Sequence, residues 1–310
     1  MPIPFKILIE DCLLTEIVTS TGSFKGNERL LSLINDFEDN CWRYDQFQNY
    51  VWDNVAMTAL SAEERETLKD RPMSELVEAA KKLRITPSGP SDPSAGGELG
   101  EIVLYGIMKD CFNALSAVPK IFYKQSAGDY AKGADSVHIT TDDEGEFALW
   151  LGESKFYKAI EDVNLPQVVE SVASLLDTEK LKKETTIITG VSDIDKQLLC
   201  DSQRSKIKSI LKTDISIDEI KSRLHVPILL LHECERTAKA KECSKEYMDE
   251  IVSYQKERAE AYFKAQIKKI AETVPKYTVI TFHLILFPVP NKEKIFAQFH
   301  KKAVALKPNG

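Results

Sequence analysis

The chain has 310 residues, of which 43% are hydrophobic and 29% are charged, and its formal net charge is −7. This ordinary globular composition excludes a disordered, collagen-like or disulfide-built protein, and the length allows one large domain or two smaller ones. The negative charge also argues against a protein that binds nucleic acid without a partner, because such proteins present a basic face to the phosphates.

The sequence predicts a cytoplasmic protein with no membrane segment. Lys6, Glu10 and Asp11 interrupt the apolar N-terminus before the core of a signal peptide could form. The longest apolar stretch, residues 278–290, is too short to cross a bilayer. The six cysteines have neither a CxxC pair nor zinc-site spacing, which is typical of reduced thiols.

The N-terminal part is predicted to form a short strand or two followed by helices. Ser61 and Glu64 have the spacing of a capping box ahead of a charged helix. Residues 86–97, TPSGPSDPSAGG, are dense in Pro, Gly and Ser, which indicates a boundary. We therefore predict a mostly helical N-terminal region at residues 1–90 and a second domain at residues 91–310.

The second domain alternates between helical and strand-like patterns. The elements predicted there, in chain order, are a helix over 97–115, strands at 119–127, 134–141 and 146–155, a helix near 165–177, a strand at 185–190, a helix over 193–212, a strand at 225–233, a long helix over 244–274, a strand at 277–287 and a helix over 291–304. This order predicts the α/β class, with a mixed central sheet flanked by helices.

A candidate site lies at the predicted hairpin with the turn DDEG. Glu153 and Lys155 are two residues apart on a strand, so their side chains project from the same face. If the hairpin pairs as its turn suggests, Asp135 lies near Glu153 at the open end of the neighbouring strand. Two carboxylates suit Mg²⁺, and a lysine beside them can position a water or neutralise charge on a phosphate.

A third carboxylate is available on the preceding helix, where Glu98 and Glu101 are three residues apart on one face. The other interpretation of Glu153 and Lys155 is an exposed pair at the charged end of an ordinary strand. The sequence also contains Glu219-x-Lys221, but that copy lies in a polar helical segment without a neighbouring hairpin.

Other candidate sites are weaker. His138 falls on the strand face opposite Asp135, which favours a core or hydrogen-bonding histidine over a metal ligand. The sequence HECE at residues 232–235 lacks the HExxH spacing of zinc proteases. Ser126 and Ser154 have no identifiable histidine and acid partners for a hydrolase triad.

The candidate residues resemble those of a known superfamily. A helix glutamate, then Asp135, then Glu153-x-Lys155 is the pattern of the PD-(D/E)XK, restriction-endonuclease-like nucleases. More closely, the segments GELGEIVLY, GADSVHI and LWLGESKFY are similar to the HamA family, the nuclease subunits of the Hachiman anti-phage defence system. The similarity is strong over about residues 97–175 and loose over the rest of the chain.

The resemblance implies a restriction-endonuclease-like core and makes the second domain the nuclease domain. It implies Asp135, Glu153 and Glu98 as ligands of Mg²⁺, or of Mn²⁺, with Glu101 as the alternative helix carboxylate. Lys155 is then the catalytic lysine.

The resemblance further implies a metal-dependent DNA nuclease that a HamB-like superfamily 2 helicase restrains until the complex is activated. Two positions depart from the usual pattern. Ala134 stands where a proline commonly precedes the aspartate, and Gln167 lacks the tyrosine that follows four residues later in some exonuclease-like members. The alternative function is a non-catalytic scaffold or regulatory subunit of a nucleic-acid-processing complex, in which the acidic cluster is structural.

Overall fold

The structure is a computed structural model. It describes residues 3–14, 17–19, 22–24, 26–85, 93–125, 133–142, 144–190, 193–197, 201–211 and 216–307. The predicted boundary loop after residue 85 lies for the most part outside these ranges.

The chain forms strands near its N-terminus, in the middle and before its C-terminal helix, with helices between them. The strands are β1 (Lys6–Leu13), β2 (Ile17–Thr19), β3 (Gly22–Phe24), β4 (Asn27–Ile34), β5 (Phe37–Glu38), β6 (Cys41–Trp42), β7 (Leu115–Val118), β8 (Ser136–Thr141), β9 (Phe147–Tyr157), β10 (Leu224–Glu233) and β11 (Thr281–Val289).

The helices fall into an N-terminal group, a central group and a C-terminal group. They are α1 (Tyr44–Ala59), α2 (Ala62–Leu68), α3 (Pro72–Lys81), α4 (Pro93–Phe112), α5 (Lys120–Gln125), α6 (Leu165–Leu175), α7 (Thr178–Gly190), α8 (Asp193–Gln197), α9 (Asp201–Ile210), α10 (Ile217–Lys221), α11 (Glu235–Lys239), α12 (Lys245–Gln266) and α13 (Lys292–Leu306). One turn of π-helix, Ile267–Ala271, continues α12.

A seven-stranded mixed sheet forms the centre of the protein, in the order β1-β4-β11-β10-β9-β8-β7. Neighbouring strands are antiparallel from β7 through β8 to β9, and they are parallel from β9 through β10 and β11 to β4. Strand β1 closes the other edge in the antiparallel sense. The predicted α/β fold, with a mixed central sheet flanked by helices, is confirmed.

Both faces of the sheet are covered, which is why its parallel strands are almost continuously apolar. On one face, Leu149 and Leu151 of β9 belong to a core that includes residues of α6 and α12. On the other face, Trp150 and Phe156 belong to a core that includes residues of α1, α4 and α13. Odd-numbered residues of β9 therefore face α6 and α12, and even-numbered residues face α4.

The N-terminal region contributes strands to the same sheet as the rest of the chain. Strand β4 pairs with β11, so hydrogen bonds join residues on the two sides of the boundary predicted near residue 90. After these strands the region is helical, and Ser61 and Glu64 form the predicted capping box at the start of α2. The division into residues 1–90 and 91–310 stays a prediction.

The predicted strand at 119–127 is wrong, and residues 126 and 127 lie outside the described ranges. The strand is β7, which ends before Pro119, and the chain then turns into α5. Proline has no N–H to donate to a ladder, which explains why the strand stops there. The preceding Asn113 has a positive φ of 49°, which ends α4 and redirects the chain into β7.

The predicted strand at 185–190 is also wrong, because these residues form the last turns of α7. Their β-branched side chains suggested a strand, but tertiary packing overrides that preference. The hydroxyls of Thr185 and Thr186 donate to the carbonyl of Lys182, each at 2.8 Å, a bond that suits a helix. Leu181 and Ile188 face the core from the same helix.

The predicted helix over 193–212 consists of two helices, α8 and α9, and residues 198–200 between them lie outside the described ranges. The long helix is confirmed as α12, with Ser244 as its N-cap. No helix in the part of the chain that the structure describes combines the length and apolarity that a membrane crossing requires.

Candidate active site

The β8–β9 hairpin brings Asp135 and Glu153 together. Ser136 pairs with Gly152 in the antiparallel ladder, and the backbone N–H of Asp135 donates to the carbonyl of Gly152 at 2.8 Å. Asp135 therefore lies just before β8, beside the Ser136–Gly152 pair, and its negative charge acts on the carboxylate of Glu153, the residue after Gly152. The two carboxylates are therefore neighbours at the open end of the hairpin.

Ser154 fixes the Asp135 carboxylate. Asp135 Oδ2 accepts hydrogen bonds from the backbone N–H of Ser154 at 3.0 Å and from its hydroxyl at 3.3 Å. The residue between Glu153 and Lys155 thus orients the aspartate across the hairpin. This contact is not predictable from the sequence, because Ser154 belongs to no recognisable motif.

The Glu153 carboxylate is buried, with 7% of the residue exposed. Burial and the negative charge of Asp135 raise the pKa of Glu153 to about 7, while Lys155 and a hydrogen bond with Ser171 oppose the rise. Ser171 belongs to α6, so this helix supplies a contact to the candidate site.

Lys155 lies on the same face as Glu153 and forms an ion pair with Glu153 Oε1. Burial disfavours the ammonium, but the charges of Glu153 and Asp135 outweigh it and raise the pKa of Lys155. The lysine is therefore protonated at neutral pH. Because 29% of its side chain remains exposed, it is accessible from solvent, unlike the glutamate.

Glu98 is directed away from this pair. Its two carboxylate oxygens accept from the backbone N–H of Arg84, at 3.1 and 2.9 Å, in the segment that follows α3. Its charge also acts on the ammonium of Lys307 at the end of α13. Among the described residues, no group of three or more His, Cys, Asp and Glu side chains is arranged to hold a metal ion.

Two close approaches establish how α4 lies on the hairpin. A Cβ on Gly100 would lie 3.2 Å from the hydroxyl of Ser154, and one on Gly152 would lie 2.9 Å from Leu104. Helix α4 therefore runs antiparallel to β9 and parallel to β8.

This direction places Glu101 near the start of β8. Tyr105 of α4 contacts His138 of β8, with ring centroids 4.4 Å apart. Glu101 lies one turn earlier on α4, at the level of Asp135, and its charge raises the pKa of Tyr105 in addition to the larger effect of burial. Glu101 is thus closer than Glu98 to the level of Asp135, whereas α4 itself covers the face of the sheet opposite to Glu153 and Lys155.

A buried polar chain connects the site with the N-terminal region. The charge of Glu153 reaches Tyr262 of α12 and raises its pKa further above the value set by burial. The Tyr262 hydroxyl donates to Gln266 at 2.7 Å, and Gln266 donates to the Tyr277 hydroxyl at 2.6 Å. Tyr277 in turn donates to Glu28 of β4 at 3.2 Å. Sequence analysis missed all four of these residues.

The weaker candidates have structural roles. His138 is fully buried against Tyr105, and burial lowers its pKa to about 3, so it is a neutral core histidine. His232 is also buried with its pKa lowered to about 4. Lys221, in the second Glu-x-Lys copy, is buried on α10 and donates to the carbonyl of Pro275 at 2.9 Å.

Comparison with known proteins gives one match. The model of the HamA family matches residues 7–303, from β1 into α13. No curated protein and no solved structure matches the chain. The matched range includes every residue of the candidate site.

Proposed function

This chain belongs to the HamA family, and we propose that it is a metal-dependent DNA nuclease, the effector subunit of its defence complex. The family associates the chain with Hachiman anti-phage defence. The observation that carries the nuclease proposal is the proximity of Asp135 and Glu153 at the open end of the β8–β9 hairpin, with Lys155 paired to Glu153. An exposed charged strand end would not place a buried glutamate close to a second carboxylate of like charge.

The residues present fit a hard divalent cation such as Mg²⁺ or Mn²⁺. Asp135 and Glu153 supply carboxylate oxygens, the ligands that these ions prefer. Burial and mutual repulsion raise the pKa of Glu153 to about 7, which means that a further positive charge near it would be stabilising. Asp135 and Glu153 therefore offer both oxygen ligands and an electrostatic environment that favours a divalent cation.

Each residue of the candidate site has a separate role in the proposed phosphodiester hydrolysis. A bound Mg²⁺ would polarise the phosphate and lower the pKa of a water. Lys155, protonated and partly exposed, donates hydrogen bonds to a phosphate oxygen and stabilises the charge that develops there. Glu153 holds the ammonium in place, and Ser154 orients Asp135.

We propose Glu101, rather than the predicted Glu98, as the third carboxylate. Both oxygens of Glu98 accept a hydrogen bond from the Arg84 N–H. Glu98 would lose this hydrogen bond if it bound a cation. Glu101 lies at the level of Asp135 on α4.

DNA and a HamB-like superfamily 2 helicase are the proposed substrate and partner. The net charge of −7 supports a partner, since an acidic protein meets a polyanion slowly and weakly. A helicase would deliver the DNA strand and release the restraint on cleavage.

Plasmid cleavage with matched lysine variants tests this proposal. Lys155→Ala removes the proposed catalytic ammonium, whereas Lys158→Ala removes an exposed lysine three residues later, whose ion pair with Glu293 is also exposed. The purified protein is assayed with and without its helicase, in Mg²⁺ and in EDTA. We expect Mg²⁺-dependent cleavage by wild type and Lys158→Ala, and at least a hundredfold loss in Lys155→Ala.

A scaffold function is the second candidate, because the ion pair of Glu153 with Lys155 already satisfies both groups internally. In that case the cluster stabilises the strand. Lys155→Ala would then lower thermal stability but leave every activity of the complex intact.

A further inference from the structure

A buried ion pair lies next to the residues that immediately precede β8. Lys120 Nζ donates to the two carboxylate oxygens of Glu184 at 2.8 and 2.7 Å. Each side chain is only 1% exposed. A pair of this kind is often no more stabilising than apolar residues of similar volume, because both charges lose their hydration. Its contribution to stability therefore does not by itself account for its presence.

The carboxylate of this pair also holds the backbone beside Asp135. Glu184 Oε1 accepts from the N–H of Ala134 at 3.0 Å. A Cβ on Gly133 would lie only 1.7 Å from the same oxygen, so this position has room for glycine alone. Glu184 therefore contacts both residues that precede Asp135, since it accepts a hydrogen bond from Ala134 and occupies the space that a side chain at Gly133 would need.

The lysine is anchored to the neighbouring strand. Its backbone N–H donates to the Tyr105 hydroxyl at 3.3 Å, and that hydroxyl donates to the carbonyl of Val118 in β7. Val118 pairs with Val137 of β8. The ion pair therefore connects α7 to the β7–β8 ladder at the point where β8 begins.

We propose that Glu184, held by Lys120, is a positioning residue for the candidate metal site. By fixing the backbone at Ala134, it sets where the Asp135 carboxylate meets Glu153, and so the separation of the two proposed ligands. This inference rests on the proposed function, since it concerns the same site. It assigns a role to two residues that do not touch the cation or the substrate.

Two double variants distinguish the proposed positioning role of Glu184 from the effects of lost charge and of misfolding. Lys120→Met with Glu184→Gln removes both charges but keeps an oxygen that can accept from Ala134. Lys120→Met with Glu184→Met removes both charges and the acceptor. Neither leaves an unpaired charge in the interior. Binding of Mn²⁺ to the full chain is measured by calorimetry, together with thermal unfolding.

We expect the Gln variant to bind Mn²⁺ within about threefold of wild type. The Met variant should bind at least tenfold more weakly, the usual effect of losing an outer contact that orients a metal ligand. Gly133→Ala is the second test, since it displaces Glu184 while keeping both charges. It should also weaken Mn²⁺ binding, whether or not the Met variant folds.

The outcomes distinguish this inference from the proposed function. Equal Mn²⁺ affinity in wild type, Gly133→Ala and any folded double variant would overturn the positioning role and leave the metal site intact. A wild-type protein that binds no Mn²⁺ would overturn both.

Discussion

Asp135 and Glu153 lie close together at the open end of the β8–β9 hairpin, and burial together with the Asp135 charge raises the pKa of Glu153 to about 7. The two residues therefore act as one unit that favours either a proton or a cation between them. Lys155 supplies part of the positive charge by its ion pair with Glu153.

The first prediction concerns the coupling between these carboxylates. Asp135→Asn removes the charge that raises the Glu153 pKa, so we expect that pKa to fall below 7, although burial still keeps it above the usual value. An NMR pH titration of the Glu153 side-chain carboxyl measures it in metal-free protein. An unchanged pKa would show that the two carboxylates do not interact.

The second prediction compares the helix glutamates. Glu101→Gln should lower Mg²⁺-dependent cleavage at least tenfold, because Glu101 lies at the level of Asp135. Glu98→Gln should keep cleavage near wild type, because its carboxylate holds Arg84 instead, and should cost about 1 kcal/mol of stability. Cleavage rates and urea unfolding of both variants measure this. The reverse pattern would restore Glu98 as the helix ligand.

The third prediction concerns acid stability. Burial lowers the pKa of His138 and His225 to about 3 and that of His232 to about 4. In the unfolded chain they titrate near 6.5, so below that pH the unfolded state binds more protons than the folded state. The free energy of unfolding should therefore fall between pH 6.5 and pH 4, by about 1.4 kcal/mol per pH unit for each histidine.

Glu153 contributes with the opposite sign, since its raised pKa stabilises the fold at low pH and loses that effect as pH rises through about 7. The comparison that isolates the histidines is wild type against His138→Phe, in urea unfolding at pH 7 and pH 5. Between pH 7 and pH 5, the free energy of unfolding of the variant should fall less than that of wild type, and the difference should equal the contribution of one histidine. Equal losses would mean that His138 is protonated in the fold.

The fourth prediction concerns the buried polar chain. Tyr277→Phe removes the hydroxyl that bonds both Gln266 and Glu28. Two buried groups then lose a partner, and we expect the free energy of unfolding to fall by about 1–3 kcal/mol. The Glu28 pKa, already raised by burial, should rise further because Tyr277 opposes that rise. A loss of stability below about 0.5 kcal/mol would contradict this account.

The hairpin at the centre of the site was predictable because it is local. The turn DDEG and the alternation of β9 set the register, and the pairing of Ser136 with Gly152 at the end of the ladder leaves Asp135 close to Glu153. A pairing between residues so near in sequence needs little knowledge of the rest of the fold.

The contacts from distant elements were not predictable. Tyr262 reaches the site from α12, and no motif marks it. The choice between Glu98 and Glu101 depends on how α4 is rotated on the sheet, which the helical period alone does not determine. The mistaken strand at 185–190 has the same origin, since tertiary packing decides between helix and strand in a β-branched run.

The central claim is that Asp135 and Glu153 hold a divalent cation. The most direct measurement is the anomalous X-ray signal of Mn²⁺ in crystals of the protein. We predict a peak between the two carboxylates, at about 2.1 Å from an oxygen of each, the distance of a hard cation of this size. Crystals of Asp135→Asn should lack it. A wild-type protein with no peak at this position, in saturating Mn²⁺, would contradict the account.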